Sequence, residues 1–103
     1  MNIIEQQLLN DVATYIQSRL DVAYYFVGVT ETVIPMVISV TTDELSIRVY
    51  LDETINETIE GIRIYDGVGN LMIERVQEFI KQGGKGVYQY FTIKLSEVIL
   101  SGI

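Results

Sequence analysis

The loop from Asp66 to Asn70 comes nearest to a ligand site in its residue types, and it lies between two apolar runs in "IRIYDGVGNLMIERV". A dinucleotide-binding loop has the pattern G-x-G-x-x-G between a strand and a helix, but here Met72 stands where the third glycine would be. A calcium loop needs several oxygen ligands at alternating positions, and Asp66 and Asn70 alone are too few. We therefore predict a turn between strands, in which glycine and asparagine supply the positive φ angles.

The segment "KQGGKG" fails a similar test for a P-loop. That motif has a glycine five residues before its glycine–lysine pair, and this position is Phe79. The segment also leads into a run typical of a strand, so no helix N-terminus would face a phosphate. We predict another turn.

Catalytic residue types are scarce in the chain. It has no cysteine and no histidine, which excludes disulfides, thiolate nucleophiles, the usual zinc sites and the commonest acid–base group. The carboxylates that remain fall in polar stretches, where solvated charge is the ordinary explanation: Asp43, Glu44, Asp52, Glu53, Glu57 and Glu60. We therefore expect no enzymatic activity, no cofactor and no metal.

Length and charge narrow the class of protein further. A chain of 103 residues predicts a single domain over 1–103. The formal net charge of −7 repels phosphate backbones and anionic lipids, so we expect neither nucleic acid nor membrane as a partner. No apolar run reaches the ~20 residues of a spanning helix, and the start lacks a secretory signal, so we expect cytoplasmic synthesis.

The hydrophobic periodicity predicts one helix followed by strands. Five apolar residues recur at every fourth position and predict an amphipathic helix over 2–20: Ile4, Leu8, Val12, Ile16 and Leu20. A β-rich region then covers 22–98, beginning with "VAYYFVGV" and "VIPMVISV". Pro35 cannot donate to a strand ladder, which indicates a sheet edge or a bulge.

The later strands alternate more clearly. "LSIRVYL" places Leu45, Ile47, Val49 and Leu51 on one face, and "GVYQYFTIKLSEV" does the same with Val87, Phe91, Ile93 and Leu95. "DETINETIE" is predicted to be a solvated loop and "IRIYD" a short strand, while residues 71–82 fit both a helix and a strand. The predicted fold is α+β: an N-terminal amphipathic helix packed on an antiparallel, mostly sequential β-sheet or small β-sandwich.

Tyrosines and cations recur on the outward sides of these strands. Such residues are typical of protein interfaces, although ordinary cross-strand pairing explains them equally well. The apolar tail "EVILSGI" favours an interface, because exposed aliphatic side chains need something to dock on. The candidate interface residues are Arg48, Tyr50, Arg63, Tyr65, Tyr88, Tyr90, Lys94, Ile99, Leu100 and Ile103.

The stretch "TIEGIRIYDGVGNLMIERV" resembles a motif of phage tail-collar and tail-fibre attachment domains, a strand T-I-x-E-I-G-L-[YF]-D followed by a glycine turn and L-[IML]-A. The matching residues are Thr58, Ile59, Ile62, Ile64, Tyr65, Asp66 and Leu71. With "LSIRVYLDE" before it and "YQYFTIKLSEV" after it, the resemblance covers residues 45–97. The chain departs from the motif at Gly61, where the family has glutamate, and at Arg63, where it has glycine.

The resemblance implies a non-enzymatic structural protein of a phage or prophage virion. Such a protein would act as an adaptor or connector in the tail or baseplate, binding itself as a homo-oligomer and binding other virion proteins. The alternative is a small acidic regulatory or inhibitory protein whose charge engages a basic protein partner. An enzyme that uses only carboxylates, lysine and tyrosine is the third hypothesis.

Overall fold

A computed structural model describes residues 6–96 as one helix and seven strands around a shared core. The elements are α1 Gln6–Arg19, β1 Val22–Val27, β2 Thr30–Ile34, β3 Met36–Val40, β4 Glu44–Leu51, β5 Glu57–Tyr65, β6 Leu71–Lys81 and β7 Val87–Lys94. They form a four-stranded sheet in the order β2-β1-β5-β6 and a three-stranded sheet in the order β3-β4-β7. The predicted α+β fold is confirmed, in its sandwich form.

All the pairings are antiparallel, and three of them join strands that are consecutive in the sequence: β1–β2, β3–β4 and β5–β6. The other two, β1–β5 and β4–β7, join strands that are distant in the sequence. No helix in residues 6–96 is long and apolar enough to cross a membrane.

The core lies between the sheets and follows the predicted alternation. Leu45, Ile47, Val49 and Leu51 of β4 all have no solvent exposure, which confirms the face read from "LSIRVYL". Because successive side chains of a strand point to opposite faces, the residues between them face away from the core. From β7, Phe91 and Leu95 are buried and Ile93 packs against the same cluster.

Pro35 marks the point where the chain passes from one sheet to the other. It follows β2, an edge of the four-stranded sheet, and precedes β3, an edge of the three-stranded sheet. Its carbonyl accepts a hydrogen bond from the N–H of Tyr50 at 3.1 Å. The predicted edge position is confirmed, but "VIPMVISV" is divided between two strands because proline offers no N–H to a continuous ladder.

The helical region buries most of the predicted stripe, since Val12, Ile16 and Leu20 pack in or against the core, but Leu8 does not. Leu9 and Ala13 are buried, with Val12 and Ile16 packed beside them, whereas Leu8 is 45% exposed. An every-fourth-residue pattern drifts around a helix of 3.6 residues per turn, so Leu9 rather than Leu8 faces the sheets. Ile4 lies outside the described residues.

The hairpin of β5 and β6 corrects one assignment and decides between the two alternatives of another. The predicted acidic loop 52–60 is strand from Glu57 onward, and Ile59 within it is fully buried. Residues 71–81 are strand rather than helix, since β6 pairs with β5 along nearly its whole length. The helix-like spacing of Met72, Val76 and Ile80 leaves these three side chains exposed.

Lys81 ends β6 with its side chain buried in the protein, only 1% exposed. Its Nζ donates to the carbonyl oxygens of Gln82 and Lys85 at 2.6 Å and of Ile55 at 3.1 Å. An ammonium group has three donors, and here each of them meets a backbone carbonyl. Lys81 therefore joins the β6–β7 turn to the β4–β5 connection.

Replacing Lys81 should destabilise the fold. In Lys81→Met three carbonyls lose their donor, and we expect the free energy of unfolding to fall by about 2–4 kcal/mol. Urea denaturation measures it. Lys85→Met is the matched control, because Lys85 is exposed and contributes only its backbone carbonyl to this contact. Equal stability of the two variants would contradict the assignment.

Candidate functional site

The loop after β5 is a turn organised around its own aspartate. The Oδ1 of Asp66 accepts hydrogen bonds from the backbone N–H groups of Val68 at 3.0 Å and Asn70 at 2.8 Å. Its Oδ2 accepts from the Asn70 amide at 3.0 Å and from Arg19 at 3.3 Å. The N–H groups that a phosphate would need are thus turned toward a carboxylate, and the carboxylate is too fully engaged to hold calcium.

The turn is confirmed as a connection between strands, with one difference in its backbone. Gly69 has a φ of 91°, but Asn70 does not adopt positive φ, as no non-glycine residue of the described chain does. Asparagine contributes instead through its amide and its N–H, both bound to Asp66. This is the local hydrogen bonding that favours Asx residues in turns.

The hydrogen bonds to Asp66 stabilise its ionised form. The N–H and the amide of Asn70, followed by the N–H of Val68 and the guanidinium of Arg19, lower the pKa of Asp66 from 3.8 to about 2, although burial opposes them. Because the folded pKa lies below the unfolded one, the carboxylate stabilises the fold above pH ~4 and loses this effect as the pH falls toward 2.

This linkage predicts a pH-dependent gap in melting temperature. Asp66→Asn should melt below the wild type at pH 7, and the gap should narrow between pH 4 and pH 2, where wild-type Asp66 itself becomes protonated. Arg19→Gln removes only one of the donors and should produce a smaller gap. Thermal unfolding followed by circular dichroism measures both, and a gap that stays constant down to pH 2 would refute the linkage.

The outer side of the three-stranded sheet carries a tyrosine–arginine face, formed by Val37, Arg48, Tyr50, Tyr88 and Tyr90. The strand register brings these residues together from three strands. Arg48 of β4 is flanked by Val37 of β3 and Tyr90 of β7, and Tyr50 lies opposite Tyr88. Val37, Tyr88 and Tyr90 are 47%, 50% and 59% exposed, so this face presents large side chains to solvent.

The aromatic rings of this face form a connected row. The ring centroids of Tyr50 and Tyr88 lie 4.8 Å apart, and those of Tyr88 and Tyr90 lie 6.3 Å apart. The Arg48 guanidinium lies 5.1 Å from the centroid of Tyr88 and takes part in no ion pair within residues 6–96. The face thus joins preorganised rings to a guanidinium whose N–H donors remain available for a carboxylate.

Tyr50 is held against the backbone at Gly86. A Cβ built at Gly86 would lie 2.6 Å from ring atoms of Tyr50, so only glycine leaves room for the ring. Burial against this turn raises the pKa of the Tyr50 hydroxyl, and the nearby Glu53 adds to the shift. The phenol is therefore neutral at physiological pH and serves as a hydrogen-bonding aromatic surface.

Arg63 and Tyr65, two of the predicted interface residues, lie on the other sheet. Their strand, β5, belongs to the four-stranded sheet, so the sandwich separates them from Arg48 and Tyr50. Arg63 donates to Glu74 at 2.7 Å and to Glu31 at 3.0 Å, and the Tyr65 hydroxyl donates to the same Glu31 oxygen. Tyr65 also packs edge-on against Tyr24, 5.5 Å between centroids.

The charges in this second cluster satisfy one another. The hydrogen bonds from Tyr65 and then from Arg63 lower the pKa of Glu31, and the bond to Glu31 raises the pKa of Tyr65. The bonds to Glu74 and then to Glu31 raise the pKa of Arg63. A cluster whose donors and acceptors are already paired is suited to hold β2, β5 and β6 together rather than to bind a ligand.

Gly61 and Arg63 both contact the ring of Phe26. The ring of Phe26 lies over Gly61, where an added Cβ would stand 2.6 Å from two ring atoms. The guanidinium of Arg63 lies over the same ring, 3.9 Å from its centroid. A glutamate at 61 would displace the ring, and a glycine at 63 would leave it uncovered.

Gly61→Ala should therefore destabilise the protein. The added methyl group meets the Phe26 ring and the backbone of β6, and overpacking of this kind costs about 1–3 kcal/mol. Gly67→Ala is the control, because a Cβ there has no neighbour within 4 Å. Denaturant unfolding of both variants measures the difference in stability. A Gly61→Ala protein as stable as the control would show that the Phe26 ring moves aside without loss of stability.

Of the remaining predicted interface residues, Lys94 is exposed. Lys94 lies on the same side of the sheet but directly opposite Glu44. Ile99, Leu100 and Ile103 lie outside the described residues.

Three of the six polar-stretch carboxylates accept hydrogen bonds from other groups of the chain. Asp43 accepts from the N–H and the hydroxyl of Ser96, and Asp52 accepts from the N–H and hydroxyl of Thr54. Glu60 accepts from the N–H of Gly28. Within residues 6–96, no three acidic side chains are grouped closely enough to hold a metal ion.

Sequence reasoning missed Lys81, Phe26 and the two glutamates that bind Arg63. No local sequence pattern identifies the two glutamates, because only the pairing of distant strands brings Glu31 and Glu74 to Arg63. Comparison of the chain with family models, with curated proteins and with solved structures finds no match.

Proposed function

We propose that this chain is a non-enzymatic structural protein of a phage or prophage particle, a tail or baseplate connector that binds other copies of itself and other virion proteins through its tyrosine–arginine face. The observation that carries the binding role is the exposed row of Tyr50, Tyr88 and Tyr90 beside Arg48, which has no ion-pair partner among the described residues. Tyrosine and arginine are the residues that contribute most binding energy in protein interfaces.

The virion setting rests on the resemblance to tail-collar and tail-fibre attachment domains. Its matching residues, from Thr58 to Leu71, lie on β5, the Asp66 turn and the start of β6, which is the strand–turn–strand form of that motif. The structural support for the resemblance comes from this hairpin.

A second candidate function, an acidic inhibitor of a basic protein, is favoured by a cleft of about 350 Å³ beside the Asp66 turn. Asp21, Glu31 and Asp66 line it together with the rings of Tyr24 and Tyr65. A lysine or arginine of a partner would find carboxylates and π faces there. Two of the three carboxylates are already bound to groups of this chain, so we rank this function second.

Light scattering coupled to size-exclusion chromatography distinguishes the two functions. A connector that buries tyrosines should form multimers that persist as salt is raised, because exposed charge pairs are screened and apolar contacts are not. Tyr90→Ser removes an exposed ring of the face and should weaken self-association about thirtyfold, the loss that corresponds to the ~2 kcal/mol of an interface hot spot.

Val33→Ser is the matched control. Val33 is 61% exposed against 59% for Tyr90, and it lies on β2, on the outer side of the opposite sheet. Loss of multimers in both variants alike would point to general destabilisation. A wild type that stays a monodisperse monomer at high concentration would overturn the self-assembly proposal, and salt-sensitive binding of a basic protein would then support the inhibitor.

A further inference from the structure

The cleft beside the Asp66 turn has carboxylate oxygens that the described part of the chain does not use. Asp21, between α1 and β1 at the margin of the four-stranded sheet, is exposed, and its carboxylate takes part in no ion pair among the described residues. Glu31 is also exposed and accepts its hydrogen bonds at Oε2, so its Oε1 has no donor among the same residues. The rings of Tyr24 and Tyr65 line the same cleft. Carboxylate oxygens beside aromatic rings suit a guanidinium, which binds both.

Arg48 is an exposed guanidinium that no carboxylate of its own sheet neutralises. Strands β3, β4 and β7 contain one acidic residue, Glu44, and it lies directly opposite Lys94. Two copies that met through the tyrosine–arginine face alone would bring two Arg48 side chains together, and like charges in contact oppose association. The carboxylate that suits Arg48 therefore comes from a different surface.

We propose that copies of this chain assemble head to tail, with the tyrosine–arginine face of one copy on the cleft of the next. The Arg48 guanidinium then donates to Asp21 and to Oε1 of Glu31 of the neighbouring copy, while the tyrosines around it pack on the rim of the cleft. This inference rests on the proposed function, because it names the surface that the tyrosine–arginine face binds in another copy.

Charge supports a contact in this one orientation. Each copy has a formal net charge of −7, so two copies repel each other over most of their surfaces. An exposed guanidinium that meets unpaired carboxylates is a local exception, and such complementarity fixes which surfaces meet more than it adds affinity. The burial of the tyrosine rings supplies the affinity.

The two surfaces lie on opposite sides of the sandwich. The tyrosine–arginine face is the outer side of the three-stranded sheet, whereas Tyr24, Glu31 and Tyr65 lie on the outer side of the four-stranded sheet. A contact between two unlike surfaces leaves one of each unused in a dimer, so further copies add to it until a ring closes or a filament grows.

Charge reversal on each surface tests the proposal. Arg48→Glu places a carboxylate against the cleft, and Asp21→Arg places a guanidinium against Arg48, so we expect each variant alone to lose self-association by about tenfold or more. An equimolar mixture of the two variants should recover multimers, because each altered surface then meets the opposite charge on the other variant. Light scattering coupled to size-exclusion chromatography measures both, and this recovery also shows that the variants are folded.

Asp11→Arg is the matched control. Asp11 is an exposed residue of α1 outside the cleft, and its replacement changes the net charge by the same amount as Asp21→Arg. It should keep the multimers of the wild type. Multimers of Asp21→Arg as stable as those of this control would overturn the head-to-tail contact and leave self-assembly standing, and a mixture that stays monomeric would also overturn it. A wild type that forms no multimers at all would instead overturn the proposed self-assembly, and this inference with it.

Discussion

The pairing of β1 with β5 is the contact on which the rest of the structure depends. It joins two local hairpins into one four-stranded sheet and sets the register that opposes Ala23 to Ile64 and Phe26 to Gly61. Ala23 and Ile64 point inward and pack in the core. Phe26 and Gly61 point outward, which places the Phe26 ring under Arg63. A slip of one residue would turn every side chain of β1 to the other face, so the ring over Gly61 also fixes the register sterically.

The two outer faces of the sandwich use the same residue types in different ways. On the four-stranded sheet, Arg63 is held between two glutamates and Tyr65 is bound to one of them, so the polar groups serve to join strands. On the three-stranded sheet, Arg48 lies among tyrosines with no carboxylate of the described chain bound to it. The two arginines differ because the strand register gives them different neighbours. The outer face of the four-stranded sheet has its charges paired within the chain, whereas that of the three-stranded sheet is suited to a partner.

The sequence predicted the structure best where the hydrophobic alternation was strict. It predicted the structure least well where pairing between distant strands determines it. The alternation in β4 and β7 predicted the core face, and Pro35 predicted an edge, because both follow from local backbone geometry. The assignment of β6 was ambiguous since Met72, Val76, Phe79 and Ile80 fit a helical stripe; only its pairing with β5 makes it a strand. The sequence did not show that Arg63 and Tyr65 lie on a different sheet from Arg48, because side-chain alternation indicates which way a residue points but not which sheet its strand joins.

The position of β7 has a consequence for biosynthesis. This strand follows every other described strand along the chain, yet it supplies Tyr88 and Tyr90 and lies directly beside β4. A domain generally folds as a unit. The row of tyrosines therefore cannot be complete until β7 has been synthesised, so a shorter nascent chain presents no finished tyrosine–arginine face to its neighbours on the same messenger RNA.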